Sequence, residues 1–369
     1  MRTLKEEDKL NLKISENIEN IDIRYYADAK KMDYNIIIDC SDGENPYGCS
    51  KKVMKALENI KASDITNYSY DDTLKKEIAN YWNIDTSNIV LSAGSVEGLY
   101  YINQIFKAQN ATLLTFAPHF PNYSNHARML GYKHKKVFLD KNDNYKYDVN
   151  KLIQNIDDSV NLIYIDTPNN PTGQILEKAD SIKLIEYAEK RGIGVIIDEA
   201  YGDFLLKEDS CIDLVNKYNN LMVIRTFSKG FGLAGIRAGY IVANEKICNY
   251  MDRMLHPYNI SQLARQMAIQ ALQDTKFLED CMKKTKASKK RLKESLQEGL
   301  KMACTHERTS ICMLYCDKDV DLCKKFAEKG IKVYSGMSFE GLDKNCVRLN
   351  LPKEEQMDSL INIIKQIKL

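Results

Sequence analysis

Short runs of apolar residues recur through the middle of the chain, at 88–91, 111–115, 161–165, 193–197, 221–225 and 238–242. Most are apolar at consecutive rather than alternate positions, as in strands covered on both faces within a parallel sheet. Helical periodicity fills the gaps, most clearly at 95–107 and 177–191. This alternation predicts an α/β fold with three layers around a mostly parallel sheet. The pattern changes after about residue 256. Positions 261–301 read as one long helix, with neither Gly nor Pro before Gly299. Shorter strands are expected at 310–315, 331–334 and 346–350, with helices at 319–328 and 354–367, so a smaller α+β domain follows the large one. The expected division is an N-terminal arm at 1–40 packed near the small domain, a large domain at 41–256 and a small domain at 257–369.

Composition narrows the function classes. A chain of 369 residues can bury a large core without disulfide or metal staples. Its 53 Lys and Arg against 51 Asp and Glu leave a net charge of +2, which argues against a bulk polycation that coats nucleic acid. At 44% hydrophobic and 28% charged residues, wholesale disorder is excluded. The ten cysteines contain no C-x-x-C pair, the nearest two being Cys312 and Cys316. The opening MRTLKEEDKLNLK has no apolar core of a signal peptide, and no run approaches the length of a membrane span. Free thiols in a reducing cytoplasm are expected. A basic run of Lys283, Lys284, Lys286, Lys289, Lys290, Arg291 and Lys293 lacks interleaved aromatics and is followed by Glu294 and Glu298. It reads as a solvated helix face rather than a nucleic-acid surface.

Gly230, Gly232 and Gly235 spell G-x-G-x-x-G after the strand at 221–225. A dinucleotide site needs a full helix after those glycines. Here the next strand begins at about Ala238, which leaves no room for one. Candidate chemistry lies instead in four segments at or just beyond strand ends, where open α/β sheets bind ligands. They are Asn169-Asn170-Pro171-Thr172-Gly173, Asp198-Glu199-Ala200-Tyr201, Ser228-Lys229 and Gly235-Ile236-Arg237. Gly94-Ser95-Val96 opens a helix, whose N-terminus offers unpaired N–H groups to an anion.

The order N-P-T-G, D-E-A-Y, then S-K-x-x-x-x-x-G-x-R resembles the fold type I pyridoxal-phosphate enzymes. More narrowly it is similar to the aminotransferase class I/II family on its histidinol-phosphate aminotransferase side, above all in RTFSKGFGLAGIRAGY at 225–240. Further likenesses are ENPYG at 44–48, NY at 67–68, SAGSVEG at 92–98, PHFPNY at 118–123 and VRLNL at 347–351. The resemblance fades before about residue 40 and within 270–330.

The resemblance implies a cofactor, pyridoxal 5'-phosphate, held by the large domain, and no metal. Lys229 matches the lysine that forms the Schiff base and moves protons at the substrate α-carbon. Asp198 matches the carboxylate that keeps the pyridine nitrogen protonated, and Asn170 and Tyr201 match the donors to the ring hydroxyl. Gly94, Ser95, Val96, Ser228 and Arg237 match the phosphate site, with Gly232 and Gly235 letting the backbone curl so that Arg237 returns to it. Phe120 matches the ring stacked on the cofactor, while Tyr123 is read as packing. Tyr68 matches a residue that reaches the cofactor phosphate of a partner subunit, which implies a homodimer with shared active sites.

On the substrate side, Arg348 matches the carboxylate clamp, and Asn45 and Tyr47 are expected at the substrate mouth. Tyr334 stands where the histidinol-phosphate branch carries a second arginine for the substrate phosphate. The tract SFEGLDKNCVRL at 338–349 resembles the threonine-phosphate decarboxylases instead. The implied activity is transfer of an amino group from an amino acid to a 2-oxo acid, in ping-pong order. Decarboxylation, oxidation or elimination at the same cofactor stays open, because the bond held perpendicular to the ring decides the reaction. A non-catalytic sensor joined to a winged helix is disfavoured, since only about 40 residues precede ENPYG. The expected partners are small molecules, with neither nucleic acid nor membrane.

Overall fold

The structure is a computed structural model that describes residues 12–21, 34–69, 71–256 and 258–369. A short β1 (Ile38–Asp39) precedes the seven strands of the main sheet. These are β2 (Ile89–Ser92), β3 (Thr112–Ala117), β4 (Lys133–Phe138), β5 (Val160–Asp166), β6 (Gly194–Asp198), β7 (Leu221–Thr226) and β8 (Gly239–Ala243). Their order across the sheet is β2-β8-β7-β6-β5-β3-β4. All six strands expected from the apolar runs are present. Every position of β3, β6, β7 and β8 is buried, as strands covered on both faces require.

Two features of this sheet differ from the expectation. The strand β4 did not stand out as an apolar run. Its sequence, KHKKVF, is polar because it forms the sheet edge, where lysines discourage pairing with another chain. The strand β8 is antiparallel to both of its neighbours. The connection from β7 to β8 contains no crossover helix, only the glycine-bearing loop 227–238 with one 3-10 turn. So short a link joins strands only in the antiparallel sense.

This topology gathers the motifs. Strands β3, β5, β6 and β7 are mutually parallel and end together at Ala117, Asp166, Asp198 and Thr226. Because β8 is reversed, its start at Gly239 and the end of β2 at Ser92 reach the same edge.

The smaller part is built on an antiparallel sheet of β9 (Lys301–Met302), β10 (Ile311–Tyr315), β12 (Tyr334–Ser335) and β13 (Cys346–Asn350), in the order β12-β13-β10-β9. The remaining strand, β11 (Ile331–Lys332), pairs in parallel with β1. The single helix expected over 261–301 is two, Gln262–Leu272 and Thr275–Glu294. The break falls at Asp274, whose backbone lies at φ −123°, ψ 64°. Aspartate favours helix starts over helix interiors, so no Gly or Pro is needed.

A core cluster on one face of the main sheet runs on into Met313, Tyr315 and Phe339. A separate cluster with Leu292, Leu314, Phe326, Leu349 and Leu360 fills the small sheet. The described part of the arm divides. Helix Glu16–Glu19 lies against helix Pro121–Met129 of the large part, whereas β1 joins the small part. Positions 1–11 and 22–33 of the expected arm lie outside the described residues.

The basic run needs one correction. Lys289 is buried, and its Nζ donates to Thr305 Oγ1 (3.0 Å), Thr309 Oγ1 (2.7 Å) and the carbonyls of His306 (3.0 Å) and Ile311 (2.8 Å). The remainder follows the expected solvated pattern, with Lys290 and Arg291 in ion pairs at the surface. All ten cysteines are free thiols. No described helix is long and apolar enough to cross a membrane.

Candidate active site

Asp198 ends β6 and is buried. Its Oδ2 accepts the Tyr164 hydroxyl at 2.8 Å and its Oδ1 accepts the N–H of Ala200 at 3.0 Å. Burial pushes its pKa up to about 6, although Tyr164, Ala200 and the charge of Lys229 pull it down. Lys229, in the loop after β7, carries its Nζ 5.4 Å from the centroid of the Tyr201 ring. The Tyr201 hydroxyl is buried and has no hydrogen-bond partner among the described residues. Burial raises its pKa, with Arg348 acting in the opposite sense.

Asp166 sits opposite Asp198 in the register of β5 and β6. Its Oδ2 accepts the backbone N–H groups of Phe120 (3.0 Å) and Asn170 (2.9 Å), and its Oδ1 accepts Asn169 Nδ2 (2.9 Å). Burial pushes its pKa up to about 7 against those N–H groups. One carboxylate thus fixes both the Phe120 turn and the N-P-T-G turn. Sequence reasoning missed it, although D-T-P at 166–168 places an acid at a strand end just as D-E-A does at 198–200. Tyr164, which orients Asp198, was also missed; it lay inside an apolar run and read as core.

The third element is an anion cradle. Gly94, at φ +83°, starts the 11-residue helix Ser95–Ile105 with no side chain capping it, so the first-turn N–H groups of Ser95 and Val96 face outward. Arg237 Nη1 donates to Ser228 Oγ (3.2 Å) and to the Ala234 carbonyl (2.8 Å). A Cβ on Gly94 would lie 2.5 Å from Arg237 Nη2, so the helix start and the guanidinium are in contact only because residue 94 has no side chain. The other loop glycines divide. Gly232 has φ +71°, and a Cβ there would overlap the Gly48 carbonyl, so it serves close approach to the ENPYG loop. Gly235 has neither a positive φ nor a neighbour within 4 Å, and the curl expected of it is not needed.

Arg348, on β13, is buried. It donates through Nη1 to Asn170 Oδ1 at 3.2 Å and through Nη2 to the Ser41 carbonyl. The Tyr334 ring centroid lies 4.4 Å from its guanidinium carbon. Segment 41–43 runs between Arg348 and Lys229, since a Cβ on Gly43 would overlap the Tyr201 hydroxyl and lie 3.3 Å from Lys229 Nζ. Asn45 binds the Gly230 carbonyl at 2.6 Å and accepts the Tyr47 N–H at 2.9 Å, so its amide ties two loops together. Tyr47 packs beside helix Thr275–Glu294, with Lys284 Nζ 5.2 Å from its ring. Tyr123 is core, its ring tilted against that of Tyr164 with centroids 4.4 Å apart. Tyr68 stands apart. It is 69% exposed and stacks on Tyr258 at 4.5 Å.

Residues 35–364 match the aminotransferase class I and II family. The chain belongs to that family. It is 32% identical over 335 residues to the histidinol-phosphate aminotransferase of Methanocaldococcus jannaschii, covering 90% of this chain and 89% of that one. It is 28% identical over 347 residues to the histidinol-phosphate aminotransferase of Bacillus subtilis, covering 92% and 94%. Among solved structures, the histidinol-phosphate aminotransferase of Clostridium acetobutylicum superposes with a TM-score of 0.81 at 26% identity, over 90% of this chain and 99% of that one. The L-threonine-O-3-phosphate decarboxylase of Porphyromonas gingivalis, at TM-score 0.75 and 22% identity over 89% and 99%, shares the fold.

The family makes this chain a pyridoxal-phosphate-dependent aminotransferase of fold type I. Its residues fit that cofactor. Among the described residues the buried Tyr201 hydroxyl has no hydrogen-bond partner and Asp198 forms no ion pair, and the Gly94 helix start with Ser228 and Arg237 has the donors a phosphate needs.

Proposed function

We propose that the chain moves the amino group of an amino acid, or an amino-acid-like amine, to a 2-oxo acid, with Lys229 carrying the cofactor covalently and transferring the proton at the substrate α-carbon. The observation that carries this reading is the enclosed Tyr201 hydroxyl, without a hydrogen-bond partner among the described residues, beside Lys229 and near the buried Asp198. A buried hydroxyl without a partner costs about 1–3 kcal/mol, and a ring oxygen of the cofactor would satisfy it. The bound cofactor supplies an electron sink for the substrate α-carbon. Asp198 would face its ring nitrogen and favour the protonated form there, and that cation would offset the burial that raises the pKa of Asp198. Asn170 and Tyr201 would donate to the ring oxygen. Ser228, Arg237 and the N–H groups of Ser95 and Val96 would hold the phosphate, the N–H of Gly94 being already bonded to the Ser92 carbonyl at 2.8 Å, and Phe120 would lie against the ring.

Arg348 binds a substrate carboxylate in its planar fork. Tyr47 and Tyr334 stand at the substrate mouth, and Asn45 holds the mouth loop against the Lys229 loop. The exposure of Tyr68 supports a homodimer in which it reaches the partner's cofactor phosphate. The proposed division is an arm at 1–40, a cofactor domain at 41–256 and a substrate-clamping domain at 257–369, in a cytoplasmic enzyme.

A single-turnover experiment tests this. Holoenzyme mixed with an amino donor, with no oxo acid added, should release one equivalent of the donor's oxo acid per site and stop until a second oxo acid is supplied. Release of carbon dioxide, or continued turnover without an acceptor, would refute transamination.

A further inference from the structure

Gly173 is where the N-P-T-G turn meets the 305–311 loop of the smaller part. It has φ +77°, and a Cβ there would overlap the Ile311 carbonyl and lie 2.6 Å from Thr305 Oγ1 and 2.8 Å from Thr309 Oγ1. Its own carbonyl accepts the His306 N–H at 2.9 Å and the Thr309 hydroxyl at 2.9 Å. The glycine is thus seated against three oxygens of the loop. Those same three oxygens, with the His306 carbonyl, are the acceptors of Lys289 Nζ.

Oxygens converge inside a protein only where donors hold them, because a buried acceptor left without one is penalised. An amino group supplies several N–H bonds from a single point. Burial pulls the pKa of Lys289 down to about 7, and these acceptors favour its charged form against that. Because Thr309 accepts from Lys289, its own hydroxyl proton is left for the Gly173 carbonyl. The contacts run on to both residues assigned to the cofactor's ring oxygen. The Gly173 N–H donates to the Asn169 carbonyl at 2.7 Å, which closes the turn that carries Asn170. The Ile311 side chain belongs to a small buried cluster with Tyr201 and Phe204. Helix Thr275–Glu294, which carries Lys289, lies against the 202–204 turn that follows Tyr201.

We infer that Lys289 is a positioning residue: its amino group gathers the oxygens on which Gly173 is seated, and through Gly173 and Ile311 it sets Asn170 and Tyr201 toward the ring oxygen of the cofactor. This rests on the transaminase reading above and deepens it. The bonds of Lys289 go to the loop, so it acts through other residues and not on the substrate. An apolar side chain of the same length would fill the space but leave the loop oxygens without their donor, and the seat of Gly173 would loosen.

Lys289→Met, which keeps the side-chain length and removes the donors, provides the test. In the cofactor-free protein, amide exchange in peptides spanning 169–174 and 304–309 should quicken by about tenfold, the scale of one lost buried hydrogen bond. In the holoenzyme, donors at the ring oxygen favour its anionic form, so the pH midpoint of the visible absorption change should rise by about one pH unit. Thr309→Val, which breaks the relay but keeps Lys289, should move both readouts in the same direction. n-Propylamine replaces the atoms that Lys289→Ala removes. It should restore the midpoint in that variant and leave the wild type and Lys289→Met unchanged. Exchange unaltered in both Lys289→Met and Thr309→Val, or a midpoint that stays in place while thermal stability falls, would overturn the inference. If the wild type shows no visible band that borohydride abolishes, the transaminase reading fails, while the exchange rates still decide whether Lys289 seats the turn.

Discussion

Asp166 and Asp198 at the strand ends, and Asp42 and Glu44 at the rim, use the same functional group in opposite ways. The strand-end pair is buried, side by side in register, and held by backbone N–H groups and a tyrosine hydroxyl. Burial pushes both upward, to about 7 and about 6. Such carboxylates are costly to keep charged, and they serve by fixing geometry and by demanding a cation. The rim pair is exposed to solvent, and Asp42 accepts the Tyr334 hydroxyl at 3.0 Å. Burial, rather than residue type, sets what each carboxylate costs to keep charged.

Substitutions can break or sharpen this contrast. The largest effect is expected at Asp198. Asp198→Asn should lower kcat by roughly 10²–10³-fold, the scale of losing one preorganised electrostatic contact. The same change should stabilise the cofactor-free protein. Its pKa is raised from 3.8 to about 6 on folding, so the stability linked to its neutral form is present below pH 3.8 and lost as pH rises to about 6. Urea titrations should therefore find the variant more stable than wild type above pH 6, with the gap closing toward pH 4. A variant less stable at pH 7 would show that Asp198 is not strained by burial.

Arg225 comes next. It pairs with Glu199 at 2.9 Å and with Asp203, entirely inside the protein beneath the Asp198–Tyr201 turn. Arg225→Leu leaves two buried carboxylates without a cation and should cost about 3–5 kcal/mol in chemical denaturation. Asp166→Asn should cost less, about 1–3 kcal/mol, since it weakens acceptance of the Phe120 and Asn170 N–H groups. Cofactor affinity should fall with it. Smallest of all is Gly235→Ala, expected within about 1 kcal/mol of wild type and in the stabilising direction, because the backbone there needs no glycine.

The strand-end region was legible in the sequence because its chemistry is contiguous. Apolar runs covered on both faces marked β3, β5, β6 and β7, and each ended in a recognisable turn. The rim was not legible in the same way. Tyr334 and Arg348 meet through β12–β13 pairing, whereas Asp42 reaches them through the pairing of β1 with β11 and the Cys40–Asn350 and Ser41–Arg348 hydrogen bonds, and nothing in S-D-G at 41–43 marks it out. Edge strand β4 escaped because its lysines suppress the apolar signal. Lys289 was misread because a charge run averages over helix faces. Its position was nonetheless encoded, since Leu278, Cys281, Thr285, Ser288 and Leu292 mark the buried stripe it sits on.

The central claim is that Lys229 carries the cofactor. The most direct measurement is borohydride reduction of the holoenzyme, followed by digestion and mass spectrometry. The account predicts the cofactor mass on the peptide containing Lys229 and none on the Lys229→Ala protein. Label on a different lysine, or undiminished label in Lys229→Ala, would contradict it.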